Sequence, residues 1–128
     1  MFERIVVGVS KAASAGEAAR RAIELARTFD AELHLVIAFD GKDSGAPDAS
    51  RRHAEGWVES LAAEYSKTST HALPDEPAAA ILLVAGEVNA DLIVVGNKGM
   101  RGAGRILGSV PNAVAHKAPC SVLIVNTT

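Results

Sequence analysis

Apolar positions along this chain fall into short β-branched runs that alternate with stretches of helical spacing. Glu3 to Val9, Glu32 to Ala38, the segment near Ser69 to Leu73, residues 91–96 and Cys120 to Val125 each predict a strand. Between them, Ser14 to about Phe29, Asp48 to Ser66, Glu76 to about Val88 and a short segment ending near Lys117 carry helical periodicity. Runs such as Leu92-Ile-Val-Val95, apolar at every position, are the mark of strands covered on both faces. Five strands alternating with four helices predict an open α/β sheet, mostly or wholly parallel, with helices on both faces.

Local chemistry sets the boundaries. Ser14 and Glu17 have the Ser-x-x-Glu spacing of a capping box, which would open the first helix. Its Ala18, Ala22, Leu25 and Phe29 share one face and should lie on the sheet. In the second helix Ala54, Trp57, Val58, Leu61 and Tyr65 form the inward stripe, so Trp57 reads as core. Pro77 suits the first turn of the third helix, where a missing N–H costs little. Pro119 stops the fourth.

Length and composition narrow the class. A chain of 128 residues that is 48% hydrophobic can bury roughly two-thirds of its unfolded surface in one domain, so residues 1–128 are read as a single globular domain. No apolar run reaches transmembrane length, and Glu3 and Arg4 precede the first strand where a signal peptide would continue apolar. Cys120 is the lone cysteine, which fits a reducing cytoplasm. A net charge of −2 with few aromatic residues gives no reason to expect nucleic-acid binding.

Charge is unevenly placed, and that brings out the chemistry. All 15 acidic residues lie at or before Asp91, leaving Lys98, Arg101, Arg105 and Lys117 unneutralised in the remainder. Three of these cations stand in a glycine-rich loop, Gly96-Asn97-Lys98-Gly99-Met100-Arg101-Gly102-Ala103-Gly104-Arg105, that follows the strand at 91–96. Glycines there free backbone N–H groups to converge on an anion, and Ser109 sits where the next helix would present its unpaired donors. The pattern predicts an anion site.

Other motifs are absent or misplaced. The Gly99, Gly102, Gly104 cluster lacks the order and position of a dinucleotide fingerprint, and no Walker loop occurs. His34, His53, His71 and His116 lack the i, i+3 or i, i+4 spacing of a helical metal site, so no metal ligand is assigned. Residues 92–115 hold neither carboxylate nor histidine to serve as general base. No catalytic residue is assigned either.

The run Val94-Val-Gly-Asn-Lys-Gly99, then Leu107-Gly-Ser-Val-Pro-Asn112, then Ala118-Pro-Cys-Ser-Val-Leu-Ile-Val125 closely resembles the universal stress protein family. Nucleotide-binding members of that family carry Gly-x2-Gly-x9-Gly-Ser/Thr after their fourth strand. The resemblance extends over essentially the whole chain and implies a Rossmann-like, flavodoxin-like sheet in the order 3-2-1-4-5, with a ligand at the switch point between the first and fourth strands. It implies an adenine nucleotide as cofactor, ATP first and AMP or cyclic AMP as alternatives, with Mg accompanying a triphosphate. Carried over by position, Gly96, Asn97, Lys98, Gly99, Arg101 and Gly108 would approach ribose and phosphates. Ser109 and the Val110 N–H would hold phosphate oxygens, while Val9, Ser10 and Ala38 would flank adenine.

Two departures stand out. Eight residues, not nine, separate Gly99 from Gly108, and Ser10 replaces the aspartate usual near base and ribose. A hydroxyl is a weaker acceptor than a carboxylate, which predicts weak ATP binding or its replacement by AMP, cyclic AMP or no nucleotide. The reading is a cytoplasmic nucleotide sensor in a stress response; the alternatives are a nucleotide-independent interaction module and a slow ATPase. The apolar last strand, Cys120 to Val125, would leave an open edge, which predicts a homodimer paired through it, with Val122 and Ile124 contributing one face.

Overall fold

The computed structural model describes residues 1–9, 13–39, 47–97 and 110–126. Its elements follow one another as β1 (Arg4–Val9), α1 (Ala13–Phe29), β2 (Glu32–Ala38), α2 (Pro47–Ala62), β3 (Thr68–Leu73), α3 (Pro77–Val88), β4 (Leu92–Gly96), α4 (Val110–Lys117) and β5 (Ser121–Val125). The five strands form one sheet in the order β3-β2-β1-β4-β5, and every neighbouring pair is parallel. The expected fold class is the observed one.

Strand alternation divides the core into two layers. On one face Ile5, Val7 and Val9 of β1, Leu33, Leu35 and Ile37 of β2, and Leu92 and Val94 of β4 meet α1 and α2. On the other, Val6, Val36, Ile93 and Val95 meet Ala80, Ile81, Val84 and Ala85 of α3 and Val114 of α4. The central strands are therefore sealed on both sides, as their unbroken apolar runs require.

Alanines let α1 lie close to the sheet. Its buried residues are Ala18, Ala19, Ala22, Ile23 and Ala26, with Leu25 and Phe29 only partly covered. The helix begins at Ala13, one residue before the expected Ser14. The Glu17 carboxylate, expected to turn back to the cap, reaches Arg20 at 3.8 Å and Arg21 at 3.6 Å. The Ser14 side chain of the expected capping box lies outside the described residues.

Helix α2 starts at Pro47, one residue before the expected point, and ends at Ala62, well short of Ser66. The chain then tightens, with Glu64 N–H donating to the Leu61 carbonyl and Tyr65 N–H to that of Ala62, both at 3.2 Å. Tyr65 still packs inward, and its hydroxyl donates to the Ala31 carbonyl at 2.7 Å. That bond ties the end of α2 to the start of β2. Ala54 and Val58 are buried and Trp57 and Leu61 pack against them, as the stripe predicted. In α3, Glu76 is the N-cap and Pro77 opens the helix.

At the amino-terminal edge of the sheet the Asp91 carboxylate accepts the Glu3 N–H at 2.7 Å and the Arg4 N–H at 3.1 Å. A charge-assisted pair of this kind fixes where β1 starts beside β4. Further along β1, Gly8 makes room for α3: a Cβ there would overlap Ile81 Cδ1 and stand 3.0 Å from its Cγ1. Ile81 is buried and has little space to retreat. Gly8→Ala should therefore destabilise the fold by about 1–3 kcal/mol through overpacking. Denaturant titration of Gly8→Ala, Ile81→Val and the double variant should show part of that loss recovered in the double; simple additivity would refute the contact.

Candidate functional site

Strand pairing opens at one point along the carboxyl-terminal rim. The β1/β2 ladder runs to Val9↔Ile37, β2/β3 to Ala38↔Leu73 and β4/β5 to Gly96↔Val125. The β1/β4 ladder stops at Val7↔Val94, although β1 continues to Val9 and β4 to Gly96. Beyond that pair the chain from β1 turns into α1 on one face of the sheet, and the chain from β4 heads for α4 on the other. The ends of β1 and β4 thus part where strand order reverses, the place at which open α/β sheets form a ligand crevice.

The rim collects Val9, Ala38, Gly96 and Asn97 from three adjacent strands. Val9 is 7% exposed and points into the α1/α2 layer, so only its backbone can serve a ligand. Ala38 is partly buried against the other layer. Gly96 is partly exposed and ends β4 with no side chain in the way. Helix α4 returns from this rim and starts at Val110, itself packed on the α3/α4 layer. Because Pro111 lacks an N–H, the Val110 N–H is flanked by a gap among the first-turn donors of α4. Ser10, Lys98, Gly99, Arg101, Gly108 and Ser109 lie outside the described residues.

Asn97 has a structural task that its sequence position did not disclose. Its N–H donates to the Val125 carbonyl at 2.9 Å, adding one rung to the β4/β5 ladder. Its side-chain Nδ2 donates to Asn126 Oδ1 at 3.2 Å. Two asparagines immediately after adjacent parallel strands of matching register would have been the sequence signal. Elsewhere, His34 and His71, far apart in the chain, approach to 3.1 Å between Nδ1 and Nε2. Spacing within a helix could not reveal this; their shared face on neighbouring strands does. Burial and then Asp91 raise the Cys120 thiol above its usual range, which keeps it in the unreactive form. Among the described residues no group of three or more His, Cys, Asp or Glu could hold a metal ion, and no helix is long and apolar enough to cross a membrane.

The model of the universal stress protein family matches residues 1–126. This chain belongs to the universal stress protein family. A universal stress protein of Methanocaldococcus jannaschii is 33% identical over 140 residues, covering 98% of this chain and 82% of its own. One from Mycobacterium tuberculosis is 33% identical over 144 residues, covering 99% and 98%. Among solved structures, a universal stress protein in complex with cAMP superimposes with a TM-score of 0.79 at 33% identity, over 99% of this chain and 98% of that one. The universal stress protein from Archaeoglobus fulgidus in complex with dAMP gives 0.73 at 26% identity, over 98% of both chains.

If Asn97 serves the sheet, Asn97→Ala should lower stability by about 0.5–1.5 kcal/mol and shift the midpoint of denaturation without changing its slope. Unchanged stability together with a lost ligand response would make Asn97 a ligand contact instead.

Proposed function

We propose that this universal stress protein binds an adenine nucleotide in the β1/β4 crevice and acts as a cytoplasmic sensor in a stress response, with no turnover of the ligand. The observation that carries the reading is the open end of the β1/β4 ladder, where Gly96 leads into the glycine-rich segment bearing Lys98, Arg101 and Arg105. Backbone donors at such a place suit phosphate. The relatives solved with cAMP and dAMP support an adenine ring as the recognised base.

Ribose chemistry favours a particular nucleotide. Ser10 stands where an aspartate would accept from ribose hydroxyls, so a ligand offering both hydroxyls loses most from the replacement. Cyclic AMP has its 3′-oxygen esterified and offers one. On this reading cyclic AMP loses least from the replacement, and AMP and ATP with Mg lose more. Ser109 and the Val110 N–H hold the phosphate, Gly96, Lys98, Gly99, Arg101 and Gly108 line its approach, and Val9, Ser10 and Ala38 flank the base.

Ligand selective for the native state raises the melting temperature, by an amount worth about 2.7 kcal/mol at a hundredfold excess over Kd. Cyclic AMP should produce such a shift, Gly108→Val should abolish it, and Ser10→Asp should raise ATP affinity. No shift with millimolar cyclic AMP, AMP, ADP or ATP would leave the protein as a nucleotide-independent interaction module.

A homodimer through β5 belongs to the same proposal. The strand ends the sheet, Leu123 is 39% exposed, and Val122 and Ile124 are only partly covered by the α3/α4 layer. Apolar groups beside unpaired strand donors are usually covered by a partner. Light scattering should give twice the chain mass, and Leu123→Lys should reduce it to the monomer value; a wild-type monomer at high micromolar concentration would rule the dimer out.

A further inference from the structure

His34 sits in the middle of β2, 8% exposed, on the face covered by α3. It stands beside Val6 of β1 and Ser69 of β3 in register, and His71 of β3 stands beside Val36. The two imidazoles therefore meet diagonally across the β2/β3 ladder, with ring centroids 5.3 Å apart and His34 Nδ1 3.1 Å from His71 Nε2. Strand β3 is an edge strand with no fully buried residue. On the α3 side this side-chain bond joins it to β2, beside the packing of Leu73 against the α3/α4 layer.

Protonation decides whether the bond survives. A neutral pair, or a pair sharing one proton, leaves one nitrogen to donate and the other to accept. With both rings protonated, N–H faces N–H and two cations stand side by side in a partly buried place. Charged groups of both signs face the pair. Glu32 Oε2 lies 3.5 Å from His34 Nε2, within ion-pair reach but outside hydrogen-bond geometry. Arg4 of β1 draws on the same carboxylate at 3.6 Å, Lys67 before β3 also feels Glu32, and Glu87 of α3 acts on His71. Burial and then His34 hold His71 below the ordinary histidine range, against the smaller pull of Glu87.

We propose that the His34–His71 pair is an acid-sensitive latch that holds β3 to the sheet while it carries at most one proton and releases it when both rings are charged. The sign follows from linkage. A histidine lowered in the folded state binds fewer protons than in the unfolded chain, so stability is full above the unfolded value and is lost as pH falls below it. The strand that loosens also braces the rim, because the Phe39 N–H donates to the Leu73 carbonyl at 2.9 Å.

Amide hydrogen exchange of the ligand-free protein, corrected for intrinsic rates, tests this without reference to any nucleotide. Between about pH 7.5 and about pH 5, protection of the Thr68–Leu73 amides should fall about tenfold or more relative to those of β1. His71→Gln keeps a hydrogen-bonding group and removes the charge, so its ratio should stay constant. Imidazole titration by NMR in the wild type should show two separated steps, the second coinciding with the loss of β3 protection. A constant ratio in the wild type, an equal fall in His71→Gln, or two rings titrating independently would each overturn the latch.

Discussion

The parallel arrangement of every strand is the constraint from which the rest follows. A parallel neighbour can be reached only by a crossover, and each crossover commits a helix to one face of the sheet. From β1 the chain winds outward to β2 and β3 with α1 and α2 on one face, then returns through α3 to β4 and on to β5 with α3 and α4 on the other. Two adjacent strands, β1 and β4, must then send their chains apart. The crevice is the geometric remainder of that divergence, so its position owes nothing to which side chains surround it.

Packing keeps the divergence in register. Asp91 sets the starts of β1 and β4 side by side at the far edge, and Gly8 allows Ile81 of α3 to press onto β1 just past the last β1/β4 pair. Asn97 meanwhile carries β4 onward with β5, away from β1. One strand end is thus held to each side. Among the described residues the rim offers mainly backbone groups, at Val9, Ala38 and Gly96.

Much of this was legible in the sequence because its signals are local. Leu92 to Val95 has the pattern of a strand covered on both faces, Pro77 marks a helix start, and Pro119 closes α4; each is a property of a few consecutive residues. The start of α1 falls one residue before the expected Ser14, and Glu17 there faces Arg20 and Arg21 one turn ahead. The end of α2 was overrun because Tyr65 keeps its inward direction after the helix has ended. The pairings of His34 with His71 and Asn97 with Asn126 join residues on different strands, so only strand order and register reveal them. Of the candidate site, the sequence pointed to the rim residues Val9, Ala38, Gly96 and Asn97; it could not show that the Asn97 amide bonds to Asn126.

Amide chemical-shift mapping with cyclic AMP tests the central claim, that the opening between β1 and β4 is where the ligand sits. The largest changes should fall at Val9, Ala38, Gly96 and Val110, while Arg4, Asp91 and Ser121 at the opposite edge stay put. Changes centred on that opposite edge, or saturating cyclic AMP that moves none of the rim amides, would contradict it.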